Sequence, residues 1–180
     1  MTAQYDETYD VVVVGSGAGA MAAAVTAARN GLSTVVLEKT ALLGGTSAYS
    51  GAAAWLPGSD VTRRAGSMDS TESGRTYLRS LLGDAETERQ EAYLEGAPAV
   101  VAELEAEPAI ELVAQAFPDY FDAPGRVPGG RSIVPVPVPA DALPDGLADL
   151  VRPVVDRDRA GLGHHPDQPL VGGRALIGRL

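Results

Sequence analysis

The sequence of 180 residues contains no cysteine. Without thiols the chain can form no disulfide, no thiolate-bound zinc or iron–sulfur centre, and no cysteine nucleophile. Histidine occurs twice, as the neighbours His164 and His165, and two adjacent loop histidines do not provide a chelating spacing. The sequence therefore predicts no metal site. The absence of cysteine also fits a reducing compartment, and we expect a cytoplasmic location.

Basic residues are scarce: 14 Lys and Arg stand against 24 Asp and Glu, for a net charge of −10. Binding to nucleic acid needs clustered positive charge, so we expect no nucleic-acid partner. Residues 84–111 alone hold nine acidic side chains and one basic side chain. Such a run indicates a solvated helical face, and a docking surface for a basic partner is the alternative.

Long apolar runs are also few. The longest, residues 11–28, is interrupted by Gly15, Gly17 and Gly19, which disfavour the continuous helix that a membrane span needs. We therefore expect no transmembrane segment. The first ten residues carry acidic but no basic side chains, so the sequence predicts no secretory signal.

A strand–helix–strand pattern occupies the first forty residues. Residues 10–14 form a β-branched run typical of a buried strand, and residues 18–30 are an alanine-rich helix with Gly31 as its stop. Residues 33–38 form a second buried strand. This spacing predicts a βαβ unit with a parallel sheet, and so an α/β, Rossmann-like fold.

The turn after the first strand matches G-x-G-x-x-G/A. Gly15 permits the tight turn, Gly17 lets the backbone approach a pyrophosphate, and Ala20 keeps the helix close to the sheet. Ser16 and Ala18 lie between these positions, where the helix N-terminus offers N–H groups to phosphates. The turn therefore predicts a site for a dinucleotide.

Glu38 closes the second strand, 18 positions after Ala20. An acid here accepts hydrogen bonds from the adenosine ribose and repels a 2′-phosphate, which disfavours NADP. A solvent-facing glutamate is the alternative. Residues 44–47 (Gly-Gly-Thr-Ser) add bare amides and two hydroxyls beyond a strand end, where ligands sit in α/β sheets. A plain flexible loop is the alternative there, and FAD and NAD both remain open from these residues alone.

Two further patterns predict local structure. Asp69 followed by Glu72 is typical of a helix N-cap with its capping-box partner. Pro135, Pro137 and Pro139 alternate with valines. Because proline lacks the N–H that a central strand donates, this stretch is predicted as an edge strand or a loop.

Four segments together resemble the flavoprotein class of fumarate reductases and 3-ketosteroid dehydrogenases: residues 15–20, 38–40, 44–51 and 55–58. Within that class, the Trp-Leu-Pro-Gly run at 55–58 and the segments 78–98, 116–120 and 172–178 resemble the 3-ketosteroid Δ1-dehydrogenases. The resemblance implies FAD as cofactor, a 3-ketosteroid as substrate and an external electron acceptor.

The resemblance also implies roles for individual residues. Desaturation of the steroid A-ring removes a proton from C2 and transfers a hydride from C1 to the flavin. Tyr120 matches the tyrosine that assists proton removal, and an aromatic plug in an apolar wall is its alternative. Lys39 and Thr40 are implied beside the adenine. The positions implied near the phosphates and the flavin are Gly45, Thr46, Ser47, Gly51 and Ala52.

The same resemblance implies a division of the chain. Residues 1–105 would be the first segment of a discontinuous FAD-binding domain, and residues 106–180 would begin an α+β catalytic domain. The two strands above and a weak strand candidate at residues 110–113 fall short of a doubly wound sheet, so we expect an incomplete, isolated chain without activity. The alternatives are a related fumarate reductase-like flavoprotein and a truncated, non-catalytic chain that binds FAD or ADP-like ligands.

Overall fold

The computed structural model describes residues 7–165 and 167–180. Its regular elements, in chain order, are β1 (Val11–Val14), α1 (Ala18–Arg29), β2 (Thr34–Leu37), β3 (Ala54–Trp55), α2 (Asp60–Arg64), α3 (Thr71–Leu82), α4 (Thr87–Glu105), β4 (Leu112–Gln115), β5 (Ser132–Pro135), α5 (Leu147–Leu150), α6 (Val155–Arg159) and α7 (Gly173–Arg179). A 3₁₀ helix spans Gly45–Tyr49 and a second spans Ala140–Ala142.

The chain folds into two compact units. The first unit contains the described residues up to Ser50 together with Pro137–Leu180, and the second contains Gly51–Val136. These compact units do not coincide with the boundary that the sequence predicts near residue 105, between the FAD-binding segment and the catalytic domain. That boundary concerns functional domains and stays a prediction.

The first unit contains the predicted βαβ motif. β1 and β2 pair in parallel, in a register that runs from Val11 opposite Thr34 to Val14 opposite Leu37. Gly31 follows α1 with a φ of +79°, a conformation that favours glycine at a helix end. The predicted positions of both strands and of the helix are confirmed to within two residues, and the α/β fold class is confirmed. The prediction that both strands are buried was wrong, because no residue of β1 or β2 is fully buried. One face of the strand pair is open, with Val14 81% exposed.

The later part of the chain completes this unit. Leu43 forms a parallel bridge with Val151, and Val138 forms an antiparallel bridge with Leu170. A buried cluster joins these segments to α7: Val138, Ala148, Val151, Leu170, Ala175 and Ile177. Packing against this cluster fixes α7 beside the first 3₁₀ helix, where the Gly173 N–H donates to the Ser50 carbonyl at 2.8 Å.

The second unit is built on an antiparallel sheet in the order β3–β5–β4. Ile133 of β5 packs with Val61 of α2 and Val101 of α4 in its core. The prediction of an edge strand or loop at the prolines was therefore wrong for β5, which is central. Pro135 is tolerated because β3 pairs only with Ser132 and Ile133 of β5, so at Pro135 the strand pairs on one side, with Leu112.

The capping prediction for α3 was also wrong in detail. Ser70 is the N-cap, and its side chain accepts from the Ser73 N–H while Ser73 bonds back to the Ser70 N–H. Asp69 instead accepts from the Gly58 N–H at 2.7 Å and is buried.

Every helix in the described part of the chain is too short or too polar to cross a lipid bilayer.

A glycine is required where α7 meets the first 3₁₀ helix. A Cβ on Gly173 would lie 1.7 Å from the Ser47 carbonyl oxygen, so a side chain there must displace backbone. We expect Gly173→Ala to lower the free energy of unfolding by about 2–3 kcal/mol, measured by urea denaturation. Gly163→Ala is the control, because a Cβ there meets nothing within 4 Å. Equal stabilities of the two variants would contradict the prediction.

Candidate functional site

A cleft of about 530 Å³ lies at the carboxyl ends of β1 and β2. This is the edge where parallel α/β sheets bind ligands. It is lined by Val14, Gly15, Ser16, Gly17, Leu37, Glu38, Lys39, Thr40, Gly45, Thr46 and Arg152. Eight of the predicted cofactor-binding positions are therefore brought together at one surface.

Ser16 links three segments of this cleft. Its hydroxyl donates to Glu38 Oε2 at 2.6 Å and accepts from the Gly44 N–H at 2.9 Å. The Ser16 N–H donates to the same carboxylate oxygen at 3.1 Å. With only 1% of Ser16 exposed, one side chain fixes the glycine turn, the end of β2 and the Gly44–Gly45 loop together.

Thr40 holds the other oxygen of the Glu38 carboxylate. Its N–H donates to Oε1 at 3.0 Å, and its hydroxyl oxygen lies 3.1 Å from Oε1 and 2.8 Å from the Leu42 carbonyl oxygen. The Ser16 hydroxyl bond, followed by the Thr40 N–H bond, lowers the pKa of Glu38 to about 2. The carboxylate is therefore charged at neutral pH. Because the Leu42 carbonyl is the nearer acceptor for the single hydrogen of the Thr40 hydroxyl, Oε1 keeps a lone pair that suits a ribose hydroxyl.

The turn itself fits a pyrophosphate. Gly15 adopts a φ of +94°, which glycine tolerates, and its N–H donates to the Leu37 carbonyl at 2.7 Å. Gly17 at the N-cap supplies no side-chain cap to α1. The Ala18 N–H donates to Ser47 Oγ at 3.0 Å. Gly15 and Gly17 thus leave the turn open to a diphosphate, while the N–H groups of Gly15, Ser16 and Ala18 hold it in place through bonds to Leu37, Glu38 and Ser47.

Arg152 is a cleft residue that the sequence motifs missed. Its guanidinium donates to Thr40 Oγ1 at 2.9 Å and to Asp158 at 2.9 Å. Nothing in the local pattern near residue 152 indicates this role. The Leu43–Val151 bridge, which joins segments more than a hundred positions apart, carries Arg152 to the cleft.

The other predicted cofactor-binding residues lie outside the cleft lining. Ala18, Ala20 and Ser47 belong to the first unit, where Ala18 and Ala20 lie in α1 and Ser47 lies in the first 3₁₀ helix. Gly51 and Ala52 belong to the second unit. Ala52 adopts a φ of +55°, which is strained for alanine. The roles in cofactor binding of these five residues, Ala18, Ala20, Ser47, Gly51 and Ala52, stay predictions.

Tyr120 also lies in the second unit, where it is 83% exposed. The backbone on either side of it is fixed. On one side, the Phe121 N–H donates to the Tyr77 hydroxyl at 2.8 Å. Asp119, on the other side, is buried and accepts from the Trp55 indole N–H at 2.7 Å and from the Val127 N–H at 2.9 Å.

Arg131 is the centre of the interactions that bury Asp119. Its guanidinium donates to Asp119 Oδ2 at 2.6 Å and to Asp69 Oδ1 at 3.0 Å, and all three side chains are shielded from solvent. It also lies 5.1 Å from the centre of the Trp55 ring. Burial raises the pKa of Asp119, but the bonds from Arg131, Trp55 and Val127 outweigh burial and hold it below its ordinary value.

The histidine pair forms no metal cluster among residues 7–165 and 167–180. His164 Nδ1 lies 2.6 Å from Nη2 of Arg174. Burial, and then the charge of Arg174, lowers the pKa of His164. The neutral imidazole therefore acts as a hydrogen-bond partner of a buried arginine.

Comparison with known proteins identifies the family. Residues 10–180 match the family model described as "FAD binding domain". The chain belongs to this FAD-binding family. FAD as the cofactor is thereby confirmed.

The relatives of this chain support the predicted resemblance. The chain is 56% identical over 168 residues to the 3-oxosteroid 1-dehydrogenase of Rhodococcus opacus, covering 93% of this chain and 32% of the relative. It is 47% identical over 149 residues to the 4-oxocyclohexanecarboxylate 2-dehydrogenase of Sinomonas cyclohexanicum, covering 81% and 26%. The chain thus spans about a third or less of these relatives' length.

A solved structure matches as well. The 3-ketosteroid Δ1-dehydrogenase of Sterolibacterium denitrificans, in complex with 1,4-androstadiene-3,17-dione, aligns with a TM-score of 0.77 at 31% identity. The alignment covers 94% of this chain and 37% of that one. The resemblance to 3-ketosteroid Δ1-dehydrogenases is therefore confirmed.

The Ser16–Glu38 bond has a measurable pKa consequence. A carboxylate with a lowered pKa stabilises the folded chain above its ordinary pKa of 4.5, and this contribution is lost as the pH falls toward 2. We expect Ser16→Ala to move the titration of Glu38 upward toward 4.5, measured by NMR of its side-chain carboxyl carbon. Ser33→Ala is the control, because Ser33 bonds to Asp10. An unshifted Glu38 titration in Ser16→Ala would contradict this assignment.

The buried ion pairs of Arg131 with Asp69 and Asp119 predict a loss of stability when the arginine is removed. Removing a buried partner leaves uncompensated charge, so Arg131→Met should lower the free energy of unfolding by about 3–5 kcal/mol, measured by urea denaturation. Arg89→Gln should change it by less than about 0.5 kcal/mol, because the Arg89 side chain is 81% exposed. A loss in Arg131→Met no larger than that of the control would show that the cluster contributes little to stability.

Proposed function

We propose that this chain is the N-terminal portion of an FAD-dependent 3-ketosteroid Δ1-dehydrogenase, which desaturates the C1–C2 bond of the steroid A-ring. The observation that carries the proposal is the 56% identity to the Rhodococcus opacus enzyme across 93% of the chain. The geometry of the cleft supports FAD binding, and the exposure of Tyr120 supports its role in proton removal. The absence of cysteine supports a cytoplasmic location.

The first unit would bind the ADP half of FAD. Gly15 and Gly17 let the diphosphate approach the start of α1, and the charged Glu38 accepts hydrogen bonds from the ribose. Lys39 and Thr40 line the adenine side, and Gly45 and Thr46 close the cleft. When bound, FAD supplies the acceptor for the hydride that leaves C1.

Tyr120 would assist removal of the C2 proton, which the neighbouring ketone acidifies. Its phenol is exposed, whereas its neighbours Asp119 and Phe121 are held by Arg131 and Tyr77. This arrangement supports a residue that projects toward a ligand more than an aromatic plug in an apolar wall.

A smaller ring is the second candidate substrate. The Sinomonas cyclohexanicum relative is named for a monocyclic oxo-carboxylate and is 47% identical over 149 residues. Both candidates place a ketone beside the C–H bond that loses the proton. They differ in the size of the apolar pocket that each requires.

A chimera tests the proposed activity. The 168 aligned residues of the Rhodococcus opacus enzyme are replaced by those of this chain. We expect the chimera to desaturate a 3-ketosteroid with an artificial electron acceptor, and Tyr120→Phe in it to lower kcat about 100-fold with FAD content unchanged. The loss of two hydrogens from the steroid is measured by mass spectrometry.

The control variant is Tyr93→Phe, which removes the hydroxyl of another partly exposed tyrosine of the second unit. It should leave kcat within about twofold, as for a substitution away from the reacting atoms. Conversion of the monocyclic ketone and not of the steroid would favour the second candidate. A chimera that folds and retains FAD but oxidises neither compound would refute the proposed activity.

A further inference from the structure

Arg152 makes a hydrogen-bond chain toward the residue expected to recognise ribose. One arm of its guanidinium donates to Thr40 Oγ1 at 2.9 Å, and the N–H of Thr40 in turn donates to Glu38 Oε1 at 3.0 Å. The other arm donates to Asp158 at 2.9 Å. No motif assigns Arg152 a role, yet it lines the same cleft as Glu38.

Hydrogen bonds hold both the backbone and the side chain of Arg152. Its backbone N–H donates to the Leu43 carbonyl at 2.9 Å, within the bridge that joins this segment to the glycine loop. Asp158, its anion partner, also accepts from the Tyr49 hydroxyl. The guanidinium therefore meets Thr40 from a defined direction, and its charge is compensated locally by Asp158.

Donation from Arg152 determines what the Thr40 hydroxyl can do. A hydroxyl has two lone pairs and one hydrogen. Arg152 and the Leu42 N–H, at 3.3 Å, donate to the two lone pairs. The hydroxyl is left as a donor, and the Leu42 carbonyl at 2.8 Å is nearer to it than Glu38 Oε1 at 3.1 Å. Donation to Leu42 leaves one lone pair of Glu38 Oε1 for a ribose hydroxyl.

We propose that Arg152 is a positioning residue for ribose recognition: through Thr40 it holds the Glu38 carboxylate in the orientation that accepts the ribose 2′-hydroxyl. The inference rests on the proposed binding of the ADP half of FAD in this cleft. It concerns the sugar and not the phosphates, because both terminal nitrogens of the guanidinium are engaged by Thr40 and Asp158 and its Nε is buried.

Discrimination between ADP and 2′-deoxy-ADP tests the proposal, because the two ligands differ only in the hydroxyl that Glu38 would accept. Calorimetry on the 180-residue chain gives both dissociation constants. We expect the wild type to bind ADP about tenfold more tightly than 2′-deoxy-ADP, as for one hydrogen bond to a charged group. Arg152→Gln should reduce that ratio to about one to two.

The matched control is Arg159→Gln, which removes one positive charge from exposed α6 without touching the cleft lining. It should keep the wild-type ratio. Asp158→Asn serves as a second variant, because it retains Arg152 but weakens its anchor, and it should lower the ratio to an intermediate value. It keeps the test decisive where Arg152→Gln does not fold.

The outcomes separate this inference from the proposal on which it rests. A wild-type ratio retained in Arg152→Gln, or in Asp158→Asn where only that variant folds, would overturn the role of Arg152 and leave nucleotide binding intact. Equal losses of affinity for both ligands would also overturn it, since they indicate general damage to the cleft. No binding of ADP by the wild-type chain would overturn nucleotide binding and this inference together.

Discussion

The candidate cofactor site depends on one buried hydroxyl. Ser16 follows the first glycine of the turn, and through Glu38 and the Gly44 N–H it joins three segments that are distant in the sequence. Each partner alone is a flexible loop or a strand end. The shared hydrogen bonds give them one relative arrangement, in which the Glu38 carboxylate lies beside the glycine turn and the N-terminus of α1.

The two units depend on different kinds of interaction. The first brings backbone amides and one carboxylate to the edge of a parallel strand pair, as binding of a dinucleotide requires. The second buries a guanidinium between two carboxylates and two aromatic rings, and thereby orders the loop that carries Tyr120. Local backbone geometry dominates the first site, and long-range charge pairing dominates the second.

This difference explains how far the sequence could be interpreted. The βαβ motif and the positions of Gly15, Gly17 and Glu38 were predictable because spacing along the chain determines them. Arg152 and Arg131 were not, since their partners lie up to 112 and 62 positions away. The central place of β5 was missed because the proline rule applies to a strand that is paired on both sides, and β5 at Pro135 is paired on one.

The fixed backbone around Tyr120 has a thermodynamic consequence. Ordering a loop residue costs conformational entropy, about 1–2 kcal/mol for each backbone position. Here that cost is met when the chain folds, through the bonds to Asp119 and the Phe121 N–H. A ligand that contacts the phenol meets a pre-organised surface, so its binding free energy is not reduced by the entropy of ordering that loop.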